Sequence, residues 1–404
     1  MTLANGLFKQ TTIGKQTALG TPKTGAGGQI LRRKTATFSA PRNTHANDEI
    51  VSHLQDTGIT YGVKSVSGQI SGNLSPSTYE LMMAGIMRKD FAATADVTGL
   101  TITIAGSGPY TITRSSGSWL TDGIKAGDVV RLTAGSFTAV NLNNNFFVIS
   151  ETATVLTGVM LNGDAMTADA AVTSATLAVV GKKTYAPKTS HTNDYFTFEE
   201  WYADITRSEV FPDCKVNTMA VNIPADGSAT VDFDIVGVGT RTTSGSQSFN
   251  TPTAETTTGV VEGVRGVVYV NGAAVSTATS AQITFDSGIA PVGATLGSVV
   301  SSDLIQGRLK VSGSFTAQFD GVTLQTLFDN ETPVSAVFIA AEDGTATADF
   351  MAFSLGRIKL IGDPPDDGEK EIVRTYNFVA ELNSAGGAAL AWDETIATIQ
   401  DSAL

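Results

Sequence analysis

The sequence contains few of the residues that metal and redox sites need. Its 404 residues include one cysteine, Cys214, and three histidines, His45, His53 and His191. A single cysteine excludes an intrachain disulfide framework and a cysteine-rich zinc site. His45 and His53 are eight residues apart, unlike the helical or short spacing of zinc ligands. We therefore expect no metal centre, and Cys214 is predicted to be a small buried thiol.

Charge and long apolar runs are also scarce. Only 16% of the residues are charged, and no run of 18 apolar residues occurs, so no transmembrane helix is predicted. The opening MTLANGLFKQTTIGKQ contains no apolar segment typical of a secretory signal. The formal net charge of −13 argues against a sequence-reading DNA binder, because such proteins contact phosphates with Lys and Arg. An acidic wall that DNA slides past without binding is compatible with this charge.

The residues that are abundant favour strands. Apolar residues make up 42% of the chain, and 55 threonines stand beside 41 glycines. Threonine fits a pleated sheet and glycine fits turns, so we predict an all-β protein with short helices.

An internal repeat is the most informative feature. VSGQISGNL begins at Val66 and VSGSFTAQF begins at Val311, 245 residues later. Both segments alternate apolar and polar residues as a half-buried strand does. Upstream, Thr37-Phe38 matches Thr284-Phe285 with a slippage of two residues. We interpret the two regions as copies of one strand–turn–helix unit.

A short helix is predicted after each of these strands. Ser75 is the expected N-cap in the first copy, and Asp320 in the second. The first helix carries a methionine-rich stripe that includes Met82 and Met83, which we expect to pack in the core.

The repeat divides the chain into parts, with first-copy residues on both sides of an insert. The predicted parts are a first copy (1–92 and 184–245), an inserted small β-barrel or sandwich (93–183), a linker (246–259) and a second copy (260–404). Trp119 is expected to fill the core of the insert. The polar segment around Ser244-Gly245-Ser246 is interpreted as a flexible spacer, and Ala385–Leu404 as a peripheral arm.

Acidic pairs are the remaining candidates for chemistry. Glu199-Glu200 lies in a strand-like run, so its members should face opposite ways, and Asp366-Asp367 lies at a hairpin tip. We interpret both as solvated charge. The Gly25–Gly28 cluster lacks the lysine of a phosphate-binding loop. We therefore predict no catalytic, cofactor-binding or metal-binding residues.

Two long segments at matched positions are predicted to be arms. They are Ser39–Thr60 and Asp286–Asp303, and only the first is rich in charge. Loops of this length in a compact domain are usually functional, and we expect these to reach a neighbouring subunit. The alternative is a mobile surface loop. The candidate contact residues are Arg42, His45, Asp48, Glu49, His53 and Asp56.

Three stretches resemble the major tail tube proteins of long-tailed, siphovirus-like bacteriophages. They are GLFKQTTIGKQTALGTP, SVSGQISGNLSPSTYELMMAGIMRKDF and FPDCKVNTMAVNIPADGSATVDFDIVG. The likeness covers about Leu7–Phe91 and Tyr195–Gly239, and the second copy shares it only through the internal repeat.

The resemblance implies a structural, non-enzymatic role. Six β-sandwich folds of this family close into a ring, and stacked rings form a tube that conducts DNA. Two tandem folds per chain would then give a homotrimer per ring, and the first arm would contact the adjacent ring. The implied partners are tail terminator, distal tail and tape measure proteins, with passing DNA that is not bound specifically. No cofactor and no membrane contact are implied. The implied location is the virion tail, with assembly in the host cytoplasm.

Two other functions remain open from the sequence. One is a surface adhesin or carbohydrate-binding protein in which the insert binds the ligand. The other is a β-rich virion glycosidase that uses a pair of carboxylates.

Overall fold

The computed structural model describes residues 3–366 and 371–404. Strands dominate the described residues, and two short α-helices accompany them, so the all-β prediction is confirmed. Neither of these helices has the length or the apolar character needed to cross a bilayer. Asp367, which was predicted to lie at a hairpin tip, is outside the described part of the chain.

The elements follow one another in four groups. The first contains β1 Lys9–Lys15, β2 Ala26–Ile30, β3 Thr35–Ser39, β4 Arg42–Ala46, β5 Ile59–Lys64, β6 Val66–Asn73 and α1 Glu80–Met87. The insert contains β7 Val97–Gly106, β8 Tyr110–Arg114, β9 Val129–Ala134, β10 Phe146–Glu151, β11 Val155–Met160 and β12 Asp169–Val179. The chain returns through β13 Lys182–Tyr185, β14 Phe196–Tyr202, β15 Arg207–Pro224, β16 Thr230–Gly237, β17 Thr242–Ser244 and β18 Thr251–Thr253. The last group contains β19 Glu262–Val270, β20 Ala273–Ala274, β21 Ala278–Asp286, β22 Ala290–Pro291, β23 Leu304–Ile305, β24 Lys310–Gln318, α2 Thr323–Asp329, β25 Val334–Ala341, β26 Phe350–Gly362, β27 Val373–Ala380 and β28 Thr398–Asp401.

An eight-stranded antiparallel sheet runs through both halves of the chain. Its strand order is β3-β6-β16-β15-β21-β24-β27-β26. The halves join where Thr218–Pro224 of β15 pairs with Ser280–Asp286 of β21. One face is apolar, and its Phe233, Phe285 and Phe315 are fully buried. The alternate residues of every strand point to the opposite face.

A second layer of strands covers the apolar face. In the first half β1 and β14 pair beside the start of β15, and in the second half β19 and β25 pair beside the start of β26. β15 and β26 belong to both layers because they are long and carry bulges, which bend a strand. α1 packs against β15 and buries Met82 and Met83, as predicted.

The pairing order of the first half recurs in the second. The series β3-β6-β16-β15-β14-β1 corresponds to β21-β24-β27-β26-β25-β19. Gly68 and Gly313, 245 residues apart, pair with Phe38 and Ile283 respectively. The predicted two-residue slippage is therefore wrong, because Ile283 rather than Phe285 is the counterpart of Phe38.

The insert forms a closed six-stranded barrel, as the sequence allowed. Its strand order is β10-β11-β8-β7-β12-β9. Trp119 is fully buried in the barrel core and donates its indole N–H to the Thr154 carbonyl at 3.0 Å, which confirms its predicted position. The barrel rests on the second half, where Phe147 packs with Ile339 and Phe350.

The linker and the C-terminal segment are more ordered than predicted. Phe249 is fully buried in the predicted linker, and a Cβ on Gly28 would lie 2.5 Å from its ring. β17 and β18 also pair with β15 and β2. At the C-terminus β28 pairs with β13 and β26, and Ile399 is fully buried. The interpretations as flexible spacer and peripheral arm are wrong, because both segments bury apolar side chains and complete sheets.

Both predicted helix caps are also wrong. α1 begins at Glu80 after Tyr79, and α2 begins at Thr323 after Val322. Ser75 is instead hydrogen-bonded to Thr78 in the turn that precedes α1.

Candidate functional site: a polar sheet face and two arms

The face of the eight-stranded sheet that points away from the core is coated with small polar side chains. Its members, taken strand by strand, are Thr35, Thr37, Ser39, Ser67, Gln69, Ser71, Asn73, Thr230, Asp232, Asp234, Thr218, Asn222, Ser280, Gln282, Thr284, Asp286, Lys310, Ser312, Ser314, Thr316, Gln318, Thr375 and Asn377. These hydroxyl, amide and charged side chains are exposed or half-exposed.

Acidic charge exceeds basic charge on this face. Asp232, Asp234 and Asp286 contribute three carboxylates, whereas Lys310 and Lys359 contribute two ammonium groups. Lys359 lies on this face because it pairs with Val379, which in turn pairs with Ser312. Asp234 accepts a hydrogen bond from the Thr218 hydroxyl at 2.7 Å. The alternation in TVDFDIV could have assigned Asp232 and Asp234 to this face, because Val231, Phe233 and Ile235 between them are buried.

The two edges of this sheet differ from its interior. β15 has β16 on one side and β21 on the other. β26 is the counterpart of β15, and β3 is the counterpart of β21. If the β15–β21 pairing were repeated, the free side of β26 would therefore pair with a second copy of β3. Among the described strands, β3 pairs with β6 only, and the end of β26 pairs with β27 only.

The first predicted arm is an exposed β-hairpin made of β4 and β5. All six candidate contact residues, Arg42, His45, Asp48, Glu49, His53 and Asp56, are exposed on it. They lie along the hairpin and do not form a common cluster; Arg42 stacks on the Tyr61 ring with its guanidinium 4.9 Å from the ring centroid. Ile50 and Leu54 at the tip are fully exposed.

In the structure the second arm extends past the predicted Asp286–Asp303 and spans residues 287–307, with β22 and β23. It lies against the first half of the same chain. Leu304 is buried in a small cluster with Val238 and Val236. Its carbonyl accepts a hydrogen bond from the Lys215 ammonium at 3.1 Å, and Asn217 accepts one from the Ile289 N–H at 2.7 Å.

Two further side chains hold the base of the second arm. Arg88 donates to the carbonyls of Ser287 and Gly307, at 3.1 and 2.7 Å. Tyr195 donates to Asp303. Burial lowers the pKa of Lys215 to about 8. Local sequence patterns do not reveal these anchoring residues, because their partners are 72 to 219 positions away in the chain.

The acidic pair Glu199-Glu200 is not solvated. Both side chains are buried and face opposite ways, as the strand pattern predicts. Glu199 accepts hydrogen bonds from Ser208 and from the Ser248 and Phe249 N–H groups, and Glu200 pairs with Lys9. These contacts fix the linker and the sheet edge. Asp366 is described, but its neighbour Asp367 is not.

A buried charged cluster lies between the barrel and the rest of the chain. Asp128 pairs with Lys183 at 2.7 Å, and Lys125 donates to the carbonyls of residues 387, 388 and 390. Burial raises the pKa of Glu151 to about 8, and its carboxylate oxygens have no hydrogen-bond partner within the described chain. In residues 3–366 and 371–404 no group of three His, Cys, Asp or Glu side chains is placed to hold a metal ion.

Comparison with known proteins gives one clear match. A protein-family model described as "Phage tail tube protein" matches residues 9–380. Among curated proteins nothing matches the chain.

Proposed function

The chain belongs to the phage tail tube protein family, and from this premise we propose that it self-assembles into rings of three chains that stack into a tube for DNA passage. Its role is structural, in the tail of a phage virion. We propose no catalytic activity. Each chain contributes two tube folds, one from residues 1–92 and 184–245 and one from residues 260–404, with the barrel of 93–183 as an addition.

The trimer proposal rests on the pairing of β15 with β21 within one chain. This pairing joins two four-stranded sheets that have the same pairing order. The rotation that superimposes the first half on the second can therefore be applied again to place the next chain. The strands left at the ends are β3 and β26, the counterparts of the two strands already joined. Pairing β26 of one chain with β3 of the next would close three chains into a pseudo-sixfold ring. Closure also removes exposed edges, which otherwise promote uncontrolled association.

The polar face suits the wall of a DNA channel. Three aspartates and two lysines give each chain a net charge of −1 there, and a three-chain ring would carry −3. Such a surface repels phosphates and lacks the Lys and Arg clusters that release counterions on binding DNA. DNA would therefore pass without being held.

The first arm supplies a contact between stacked rings in this proposal. Its six candidate residues and the exposed Ile50 and Leu54 lie on a projecting hairpin. The remaining expected partners are a tail terminator, a distal tail protein and a tape measure protein, with assembly in the host cytoplasm. The trimer proposal itself does not depend on them.

Electron microscopy of the purified protein, combined with mass measurement of single rings, tests the proposal. We expect hollow rings or tubes whose rings contain three chains and show six similar lobes. Rings of six whole chains would contradict the proposal that each chain contributes two of the six tube folds in a ring. Particles without a central channel would contradict the tube function.

A further inference from the structure

The second half carries an exposed patch at the end of β26 and β27. We define the β26–β27 patch by Lys359, Ile361 and Val379. Ile361 is 60% exposed and Val379 is 39% exposed. The Lys359 side chain is 44% exposed and lies 3.6 Å from Glu381. Lys359 pairs with Val379 across the two strands.

The counterpart of this patch in the first half is covered. Lys215 pairs with Val236 two residues before the bulge residue of β15, as Lys359 pairs with Val379 two residues before the bulge residue of β26. Lys215 is only 2% exposed because the second arm lies over it. Asn217, the bulge residue that corresponds to Ile361, binds the same arm through its side chain and through its carbonyl, which accepts the Ser287 N–H at 2.9 Å.

The first arm has the shape of the missing cover. Its pairs His45–Thr60 and Ala46–Ile59 match Ala290–Ile305 and Pro291–Leu304 of the second arm, each 245 residues later. Ile59 is therefore the counterpart of Leu304. Leu304 is 2% exposed, whereas Ile59 is 54% exposed.

We propose that the base of the first arm docks on the β26–β27 patch of the next chain in the ring, with Ile59 inserted beside Val379. This inference rests on the proposed three-chain ring and names the surface that joins neighbouring chains. The occupant is a second copy of this chain. This docking within a ring differs from a contact between stacked rings. The tip residues Ile50 and Leu54 of the same hairpin remain available for the contact between rings.

The chemistry of the two sites supports the same arrangement. Lys215 donates to the Leu304 carbonyl, so Lys359 is positioned to donate to the Ile59 carbonyl of the next chain. Asn217 is replaced by Ile361, which removes an amide but adds apolar area. Ile59 and Tyr61 on the first arm are 54% and 63% exposed, and in the docked arrangement they would bury the apolar surface of Ile361.

Cysteine cross-linking on assembled rings tests the docking. The variant carries Ile59→Cys and Val379→Cys and is treated with a short bismaleimide; Cys214 is buried and should not react. We expect covalent products that end at three chains, because the links close a circle. The matched control carries Val264→Cys, which is 67% exposed on β19, with Val379→Cys, and should stay largely uncross-linked.

The outcomes separate this proposal from the ring itself. Rings with no more cross-linking than the Val264 control would overturn the docking while the three-chain ring stands. Failure to form any ring would overturn the proposed function and this inference together. A second variant, Ile59→Asp, should raise the dissociation constant of the ring about tenfold or more in sedimentation experiments, since it places a charge in an apolar contact. Unchanged association of Ile59→Asp would also count against the docking.

Discussion

Val216 in β15 and Leu360 in β26 lie directly before a β-bulge, opposite Ile235 and Phe378 respectively. A second bulge is matched as well, where β14 meets β15 and β25 meets β26. Bulges bend strands and fix register, so two halves that share both bulges share their curvature. This common curvature allows the β15–β21 junction to be repeated between chains.

The charge of the polar sheet face should control DNA retention. We expect tubes carrying Asp232→Lys, Asp234→Lys and Asp286→Lys to bind short duplex DNA at low salt, because the new lysines displace counterions from the phosphates. The DNA should be released as the salt concentration rises, because salt opposes this displacement. Co-sedimentation of DNA with tubes at several salt concentrations measures this. The control carries Asp96→Lys, Asp164→Lys and Glu255→Lys, which change exposed acids elsewhere. Equal binding by both variants would contradict the assignment of this face to the channel.

Removing the anchor of the linker should destabilise the fold. Phe249→Ala is expected to lower the free energy of unfolding by about 3–5 kcal/mol, because a fully buried aromatic ring is lost from a site shaped by Gly14 and Gly28. Urea unfolding followed by circular dichroism measures the change. Ser246→Ala, at an exposed position of the same segment, should stay within about 0.5 kcal/mol. A loss below 1 kcal/mol in Phe249→Ala would show that the segment is only loosely held.

Trp119 should determine the stability of the barrel. Trp119→Ala is expected to cost about 3–5 kcal/mol, since it empties the barrel core and leaves the Thr154 carbonyl without the indole donor. Urea unfolding is again the measurement, and Ser107→Ala in an exposed turn is the control. If rings still form while the barrel unfolds at lower urea, the barrel is an addition to the tube rather than part of its wall. Unchanged barrel stability would contradict the packing role of Trp119.

Glu151 should make the stability of the protein depend on pH. Its folded pKa is raised by burial to about 8, from an ordinary value near 4.5. The folded state therefore keeps a proton that the unfolded state has released, and the free energy of unfolding falls as pH rises between these two values. Glu151→Gln should remove this contribution, so the wild-type protein loses stability relative to the variant from pH 5 to pH 8. Thermal unfolding at a series of pH values measures the difference, and a pH-independent difference would contradict a buried carboxylic acid at this position.

Local patterns predicted much of the secondary structure. Alternating residues identified β6 and β24, and the helical stripe identified Met82 and Met83 as core. These signals are local because side chains alternate along a strand and repeat every 3.6 residues along a helix. The helix starts were missed because Ser75 forms a turn with Thr78 instead of capping α1.

The sequence by itself determined the all-β class, the 245-residue repeat, the buried Cys214 and Trp119, and the presence of two arms, because each depends on composition or on spacing along the chain. Only the tertiary structure decided which residues share the polar sheet face, that Phe249 and Ile399 are buried, and that Lys215 holds the second arm while Lys359 is half-exposed. The physical reason is strand pairing over long distances: β15 meets β21 and β13 meets β28 through registers that no local pattern encodes.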